Sequence, residues 1–230
     1  MSNVFWSLLM ERSLMDVAVD AALDMAAWCG HLGYNRIALP YMRTDMARNA
    51  IVKIFMENTN EPNDALVMLD CDHAHPPTIV EQLASHPAER GVVGALYFRR
   101  GSPYDPLFFL ADDMGGINAP AEWEQGKTYE CDVVATGGML IRRWVFDALK
   151  AAGIAWPYFQ YAYPEPHYHQ TEDVYFGLQC HQAGIKHYCD TSLIIPHLAV
   201  QGINLETWAE ARQQLEQDGK MPSSRMEVVT

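Results

Sequence analysis

The ten residues 64–73, DALVMLDCDH, decide the fold that we predict for this chain. Five consecutive apolar residues at 65–69 precede two carboxylates, Asp70 and Asp72, which are separated by one residue. A strand that is apolar on both faces is typical of the middle of a parallel sheet with helices on each side. Ligands of such sheets bind at the carboxyl ends of the strands. The pattern therefore predicts a ligand site at Asp70 and Asp72.

The rest of the chain alternates between strand and helix patterns, which is typical of a parallel α/β sheet. The strand patterns lie at 4–10, 36–40, 91–98, 133–141, 186–190 and 192–197. The helical patterns lie at 15–29, 44–56, 78–84, 143–152, 172–184 and 205–217. The middle, 104–131, is predicted to form loops and a short hairpin. We predict one domain over 1–204, followed over 205–230 by a C-terminal helix and a disordered tail.

Composition excludes several classes of function. The net charge of −13 over 230 residues makes binding to nucleic-acid phosphates unfavourable, so no nucleic-acid partner is expected. Five cysteines, without a Cys-x-x-Cys spacing, favour reduced thiols in a cytoplasmic protein. The first residues lack the pattern of a signal peptide, and no apolar run of about 18 residues predicts a membrane span.

The Asp-x-Asp spacing suits a divalent cation. Residues i and i+2 of an extended chain point the same way, so Asp70 and Asp72 could reach one ion. Hard oxygen ligands favour Mg²⁺ or Mn²⁺, shared with the phosphates of a substrate. The alternative is that both carboxylates are solvated turn residues after a strand, and the short motif by itself does not decide between the two.

Two more acidic or imidazole signals follow later in the chain. Glu172 and Asp173 come directly after Thr171, which could cap a helix whose first turn carries both acids. His197 follows the last predicted strand. The alternatives are that the acids only cap the helix, and that His197 is a buried histidine bonded to backbone. The pair Gly137-Gly138 lies where a backbone or ligand must approach closely.

This ordered set of motifs resembles the nucleotide-diphospho-sugar transferases of the GT-A fold, in the family-two-like branch. The resemblance covers roughly residues 4 to 200. It implies a GT-A, Rossmann-like sheet flanked by helices. It also implies that Asp70 (ribose or metal side), Asp72 and His197 hold a divalent cation on the diphosphate of the sugar donor.

The same resemblance implies roles on the acceptor side. Asp173 matches the base that removes the acceptor proton, and Glu172 matches an orienting residue or a ligand of a sugar hydroxyl. Gly137 and Gly138 match the segment that passes close to the donor sugar. An ionised acid at a helix N-terminus suits a base, and a bound cation stabilises a leaving diphosphate without protonation.

The implied function is a metal-dependent glycosyltransferase that moves a sugar from a nucleotide-diphosphate donor to an acceptor hydroxyl. We expect inversion at the anomeric carbon, with retention left open. The cofactor is Mn²⁺ or Mg²⁺. The acceptor is a glycan, protein, lipid or small molecule, and its site could be completed by a neighbouring subunit of a homo-oligomer.

Arginines near the strand ends are further candidates. Arg43, Asp45 and Arg48 match the position where family members contact the nucleotide base or phosphates, although Asp45 is also a candidate helix cap. Arg99 and Arg100 follow a strand and could meet acceptor or phosphate, or form a solvated pair.

Histidines and aromatic residues give weaker signals. His73 and His75, beside the acidic pair, are interpreted as bystanders rather than ligands. The aromatic run 156–168 could stack on sugar rings, but such runs are more often packing. The end of the first strand, 10–12, departs from the family pattern and leaves base recognition open.

Three other functions are alternatives to the glycosyltransferase. A sugar nucleotidyltransferase of similar fold is disfavoured because the chain lacks a glycine-rich phosphate loop with a basic residue near its N-terminus. A nucleotide-sugar-binding module without turnover is disfavoured, but not refuted, by the intact set of Asp70, Asp72, Asp173 and His197. A zinc protein would use residues that lack a recognised ligand spacing, namely His167, His169, Cys180 and His181.

Overall fold

The computed structural model describes residues 2–9, 16–112, 116–165, 168–198, 204–217 and 228–229. The strands are β1 (Val4–Leu9), β2 (Asn35–Arg36), β3 (Ala65–Asp70), β4 (Val92–Leu96), β5 (Phe108–Ala111), β6 (Ile117–Asn118), β7 (Thr128–Cys131), β8 (Val133–Val134), β9 (Gly138–Arg142), β10 (Ala162–Glu165), β11 (Tyr168–Gln170), β12 (His187–Ile194) and β13 (Val228–Val229). The helices are α1 (Asp16–His31), α2 (Thr44–Asn58), α3 (Ile79–Ala84), α4 (Arg143–Ala151), α5 (Glu172–Gln182) and α6 (Leu205–Gln217).

The central sheet contains eight described strands in the order β13-β7-β12-β4-β9-β3-β1-β2. Strand β1 pairs in parallel with β2 and β3, and β12 pairs in parallel with β4. Two of the described strands, β9 and β7, run against the others. Most strands therefore point the same way, which confirms the predicted α/β class with a mostly parallel central sheet.

Strand β3 is the buried centre of this sheet, as its sequence predicts. Leu66 and Met68 face one apolar core, together with the inner faces of α2, α4 and α5. Val67 and Leu69 face a second core, together with α1 and α3. Alternate side chains of a strand point to opposite faces, so a strand with helices on both sides is apolar throughout.

The prediction of one strand over 133–141 is wrong. Strand β8 pairs with β5 in a small three-stranded sheet, whereas β9 pairs antiparallel with β3 and β4. The chain passes between the two sheets at 135–137. Glycine is required there, because a Cβ on Gly137 would lie 2.7 Å from His73 Cε1 and from Tyr97 Cζ. The close approach predicted for Gly137 is therefore present at the point where the chain leaves β8 and enters β9.

Two other strand boundaries also differ. Strand β2 ends at Arg36 rather than Pro40, although the Ile37 N–H still donates to the Trp6 carbonyl at 2.9 Å. The two predicted closing strands form one strand, β12, with an irregular register between Asp190 and Ile194. At this irregularity Asp190 accepts hydrogen bonds from the Ser192 N–H and hydroxyl, at 2.8 and 2.7 Å.

The helices match the predictions more closely. Helices α4 and α5 are followed by Gly153 and Gly184, which have φ angles of +82° and +72°, the left-handed conformation that glycine adopts after helices. The N-cap of α2 is Arg43 and not Thr44 or Asp45, and it makes no side-chain cap bond. Helix α6 has the predicted bounds. The predicted disordered tail lies outside the described residues except for β13.

Within the described residues, no helix has the length and apolar character needed to cross a membrane. All five cysteines are free thiols with buried side chains. Burial raises the pKa of the Cys29 thiol to about 11, so this thiol is protonated at neutral pH.

We predict that replacing His187 with glutamine makes the free energy of unfolding less dependent on pH. His187 is buried against Phe176, its Nδ1 accepts the Val134 N–H at 3.3 Å, and burial lowers the pKa of its ring to about 3. Because a histidine in the unfolded chain titrates near pH 6.5, the folded state loses stability as the pH falls from about 6.5 to about 3.

Urea unfolding of both proteins between about pH 7 and about pH 4 measures this slope. Glutamine keeps an acceptor near Val134 and does not titrate, so the variant should lose less stability over this interval. Parallel stability curves for the two proteins would contradict the assignment of a neutral buried ring.

Candidate functional site

A cleft of about 1340 Å³ opens at the carboxyl ends of β1 and β3. Its wall includes residues from both halves of the chain, far apart in sequence. The site residues predicted from the sequence that line it are Arg43, Arg48, Asp70, Asp72, Glu172, Asp173 and His197. Asp70 ends β3, and Asp72 and His197 follow β3 and β12, which run parallel in the central sheet and end at the same edge. Glu172 and Asp173 follow β11 of the two-stranded sheet.

Arg48 connects three elements below the floor of this cleft. It is 1% exposed, and its Nη2 donates to both carboxylate oxygens of Asp70 at 2.9 and 3.1 Å. Its Nε donates to Glu172 Oε1 at 2.9 Å. Burial lowers the pKa of the guanidinium, but the charges of Asp70, Glu172 and Asp173 raise it above its usual value. Arg48 is therefore a charged, buried link between α2, β3 and α5.

Glu172 is the buried member of the acidic pair. Its side chain is nearly inaccessible, and burial raises the pKa of the carboxyl group, with Arg48 opposing and Asp173 adding to the shift. Glu172 is thus held in one orientation by Arg48. This geometry suits an orienting residue better than a group that exchanges protons with a substrate.

Asp173 is the accessible member of the pair. Its Oδ1 accepts a hydrogen bond from the Thr171 hydroxyl and one from the Val174 N–H at 2.9 Å. Thr171 is the N-cap residue as predicted, but its side chain makes no cap bond to the helix backbone and donates to Asp173 instead. Among the described hydrogen bonds both fall on Oδ1, which leaves Oδ2 for the cleft.

Backbone pairing brings His197 to Asp72, 125 positions earlier in the chain. The Leu198 N–H donates to the Asp72 carbonyl at 2.8 Å, and the Ala74 N–H donates to the Pro196 carbonyl at 3.1 Å. This short antiparallel bridge holds two side chains that the sequence predicts as ligands of one cation. The position of His197 beside Asp72 is therefore set by main-chain hydrogen bonds.

The orientation of His197 shows what it can bind. Its Nδ1–H donates to the Phe98 carbonyl at 2.8 Å, since a carbonyl only accepts. In the neutral ring Nε2 then carries a lone pair, and it lies 3.3 Å from Asp72 Oδ2. Two acceptors at this distance need a proton or a metal cation between them. Metal-binding histidines commonly donate their second N–H to a carbonyl in this way.

His73 adds a third ligand atom that the sequence interpretation missed. Asp72, His73 and His197 offer ligand atoms that lie within 4.8 Å of one another, the sole such group found in the described part of the chain. His73 is 2% exposed, its Nδ1 lies 2.9 Å from Asp72 Oδ1, and its Nε2 has no hydrogen-bond partner. Its ring stacks on that of His197, with centroids 4.3 Å apart. Its position directly after the acidic pair was the signal available in the sequence.

The structure separates the roles of the two aspartates. Asp72 belongs to the group that could hold a metal, whereas the carboxylate of Asp70 is occupied by Arg48 and does not belong to it. The expectation that both carboxylates reach one cation is therefore not reproduced in this geometry. His75 donates from Nε2 to the Asp70 carbonyl at 2.8 Å, and burial lowers the pKa of its ring to about 4.

Asp72 is ionised in this environment. Burial raises the pKa of its carboxyl group, but the contacts with His197 and His73 lower it well below its usual range. Arg100 adds a cation, with Nη1 at 3.3 Å from Oδ2. Mg²⁺ and Mn²⁺ prefer ionised oxygen ligands, and imidazole nitrogens favour transition ions. The donor set therefore fits a divalent cation of the Mn²⁺ type.

The glycine pair lies beside these groups. The Gly137 N–H donates to the Tyr97 hydroxyl at 2.8 Å, and the Tyr97 ring packs edge-on against His73 at 4.5 Å. A Cβ on Gly138 would lie 2.8 Å from Ile195 Cδ1. Both glycines are buried and are required by neighbouring side chains, so the packing alone explains them.

Arg43 and Asp45 form an ion pair at the rim, with Nε 2.5 Å from Oδ1. The Arg43 side chain is 66% exposed and lies 6.0 Å from the Tyr161 ring centroid. An exposed pair of this kind contributes little stability. It leaves a guanidinium and an aromatic ring available to a ligand.

The structure disfavours the zinc alternative. Cys180 is fully buried in the apolar core, and burial raises the pKa of its thiol. His181 contacts Asp132, with Nδ1 2.8 Å from Oδ1. His167 and the side chain of His169 lie outside the described residues.

No protein-family model and no curated protein matches this chain. Among solved structures, it is similar to the crystal structure of A197 from STIV, with a TM-score of 0.54 and 17% identity, covering 89% of this chain and 94% of that one. It is also similar to a Drosophila beta-1,4-galactosyltransferase 7 mutant in complex with manganese, UDP-Gal and xylobiose (TM-score 0.45, 12% identity, 86% and 71% covered). A third similar structure is a glycosyltransferase involved in the glycosylation of the major capsid of PBCV-1 (TM-score 0.33, 15% identity, 67% and 65% covered).

At this identity, the likeness to A197 shows a shared fold and nothing about activity. The two glycosyltransferases, with their lower TM-scores of 0.45 and 0.33, carry no argument about this chain. Together with the sheet order, the likeness to A197 confirms the predicted GT-A-type α/β fold.

We predict that Arg48→Met lowers the free energy of unfolding by about 3–5 kcal/mol, because it leaves two carboxylates without their buried partner. Urea unfolding at neutral pH measures the change. The double variant Arg48→Met with Glu172→Gln is the matched control, since it removes one of the stranded charges and should recover part of the loss. A single variant within about 1 kcal/mol of wild type would show that the link is not required.

Proposed function

We propose that this chain is a metal-dependent glycosyltransferase that moves a sugar from a nucleotide-diphosphate donor to an acceptor hydroxyl, with inversion of the anomeric carbon. One observation carries the proposal. His197 Nε2 and Asp72 Oδ2 lie 3.3 Å apart with a proton or a metal cation required between them, and together with His73 they form a group that could hold a metal, in a cleft that also contains Glu172 and Asp173. The motif resemblance assigns the same residues to the same chemistry.

Asp72 and His197 hold the cation in this proposal, with His73 as a third candidate ligand. Bound Mn²⁺ or Mg²⁺ would stabilise the charge that develops on a departing nucleoside diphosphate. Asp70 takes the ribose-side role, because its carboxylate is already fixed by Arg48. Arg43, at the rim, contacts the base or phosphates, and the buried carboxylate of Asp45 holds its guanidinium.

Asp173 accepts the proton of the acceptor hydroxyl. It begins α5, where the helix dipole stabilises an ionised carboxylate, and its hydrogen bonds to Thr171 and Val174 hold it in place through one oxygen. Glu172 orients this segment through its ion pair with Arg48. The passage of the donor sugar beside Gly137 and Gly138 stays a prediction from the motif resemblance, since neither glycine lines the cleft.

The remaining expectations belong to the same proposal. The donor is a nucleotide sugar, and the acceptor is a glycan, protein, lipid or small molecule. The five free thiols support a reducing, cytoplasmic environment. A homo-oligomer that completes the acceptor site stays a prediction.

We predict that one nucleoside diphosphate binds in a metal-dependent manner and that Asp72→Asn weakens this binding at least tenfold, since it removes an ionised ligand from the cation. Isothermal titration calorimetry with a panel of nucleoside diphosphates and nucleotide sugars, with and without Mn²⁺, measures it. The control is Asp147→Asn, which removes one charge from an exposed acid paired with Arg143 on α4.

The control variant should bind as wild type does. If a folded wild-type protein bound no member of the panel in the presence of Mn²⁺, the donor site and the proposal would both be wrong. If both variants weakened nucleotide binding equally, the loss would come from the net charge of the protein, and Asp72 would not be a metal ligand.

We predict that Asp173→Asn keeps donor affinity within about twofold but slows sugar transfer by about 10²–10⁴-fold, the usual contribution of a general base. Release of nucleoside diphosphate from the donor identified by calorimetry, with a set of acceptors, measures the rate. Glu172→Gln should reduce both folding stability and rate, because it breaks the pair with Arg48.

The same assays separate the alternatives. A binding module without turnover would bind the nucleotide sugar and release no product in any variant. A nucleotidyltransferase would release pyrophosphate from a nucleoside triphosphate and a sugar phosphate. Full transfer activity in Asp173→Asn would rule out this residue as the base.

A further inference from the structure

Arg100 occupies the place next to the oxygen that a cation would need. Its Nη1 lies 3.3 Å from Asp72 Oδ2, and His197 Nε2 lies 3.3 Å from the same oxygen. A divalent cation bound by Asp72 and His197 would lie about 2 Å from each ligand atom. Arg100 in its present position would then face that cation at close range.

Such a contact is unfavourable. Two positive groups that share one carboxylate oxygen repel each other strongly, and water screens them little in a partly buried cleft. Asp72 is therefore neutralised either by Arg100 or by a metal ion, and the two compete. Arg100 holds that position in the structure.

Arg100 is free to move away. Its side chain is 52% exposed and follows β4 in a loop, and its ion pair with Asp72 is the one found for it among the described residues. The neighbouring Arg99 differs in one respect. Arg99 is equally exposed, at 53%, and also lines the cleft. Its partner, however, is Asp105, at 3.8 Å, and not Asp72.

We propose that Arg100 is an exchange residue for the donor site, an inference that rests on the proposed function. Without metal, it neutralises Asp72. When a metal takes Asp72, Arg100 is released and binds the oxygens of the donor diphosphate, which lie next to the cation they share. Arginine suits this role because its guanidinium forms charge-assisted hydrogen bonds with phosphate as well as with carboxylate.

Arg100 opposes metal binding alone but favours binding of the metal and diphosphate together, so it couples the two ligands. Removing its side chain should therefore change the two affinities in opposite directions. A residue that only shapes the cleft would weaken both or change neither.

The test compares Arg100→Ala with wild type, and Arg99→Ala is the matched control. Mn²⁺ alone is followed by the electron paramagnetic resonance signal of the free ion. The preformed 1:1 complex of Mn²⁺ with inorganic pyrophosphate is followed by calorimetry. We expect Arg100→Ala to bind Mn²⁺ alone about threefold more tightly, the scale of a half-exposed ion pair. It should bind the Mn²⁺–pyrophosphate complex about tenfold more weakly, because a charged hydrogen bond is lost.

The outcomes separate the two claims. If wild type binds both probes, and Arg100→Ala behaves as Arg99→Ala does or weakens both affinities, the exchange role is wrong and the metal site stands. If wild type binds no Mn²⁺ but Arg100→Ala does, the competition is supported. If neither protein binds Mn²⁺ alone but both bind the Mn²⁺–pyrophosphate complex, the exchange role is wrong and the metal-dependent function stands. If neither protein binds either probe, both are wrong.

Discussion

The arrangement of the cleft depends on one buried cation, Arg48. An unpaired guanidinium in the interior would cost several kcal/mol, so the elements that carry its partners must meet around it. Those partners are Asp70, at the end of β3, and Glu172, at the start of α5. Asp173 comes directly after Glu172, and Asp72 lies two residues after Asp70. Both of these acids line the cleft. One ion-pair network thus sets the relative positions of Asp72 and Asp173.

A second constraint acts on the candidate metal ligands. Main-chain bonds join the segment of Asp72 to that of His197, and the Phe98 carbonyl fixes the ring of His197. Asp72, His197 and Phe98 follow β3, β12 and β4, of which β12 and β4 are neighbours and β3 is separated from β4 by β9. Ligands held by backbone pairing and by a second hydrogen bond are oriented before any ion binds.

The arginines of the cleft are paired with carboxylates. The net charge is −13, yet four of its arginines line the cleft. Each contacts a carboxylate, in the pairs Arg43–Asp45, Arg48–Asp70, Arg99–Asp105 and Arg100–Asp72, and all of these acids except Asp45 also line the cleft. Three of the arginine side chains are more than half exposed and one is buried. The exposed ones can exchange a carboxylate for an anionic ligand, whereas Arg48 cannot leave its partners without exposing them.

The sequence by itself determined the local features: the buried strand that ends in Asp70, the acidic start of α5 and the bounds of α6. These depend on periodicity and turn chemistry within a few residues. Only the tertiary structure decided that 133–141 divides between two sheets, that Asp70 binds Arg48 instead of joining Asp72, and that His73 lies against His197. Each of these depends on a partner far away in the chain, and neither strand pairing nor a histidine tautomer is encoded in local spacing.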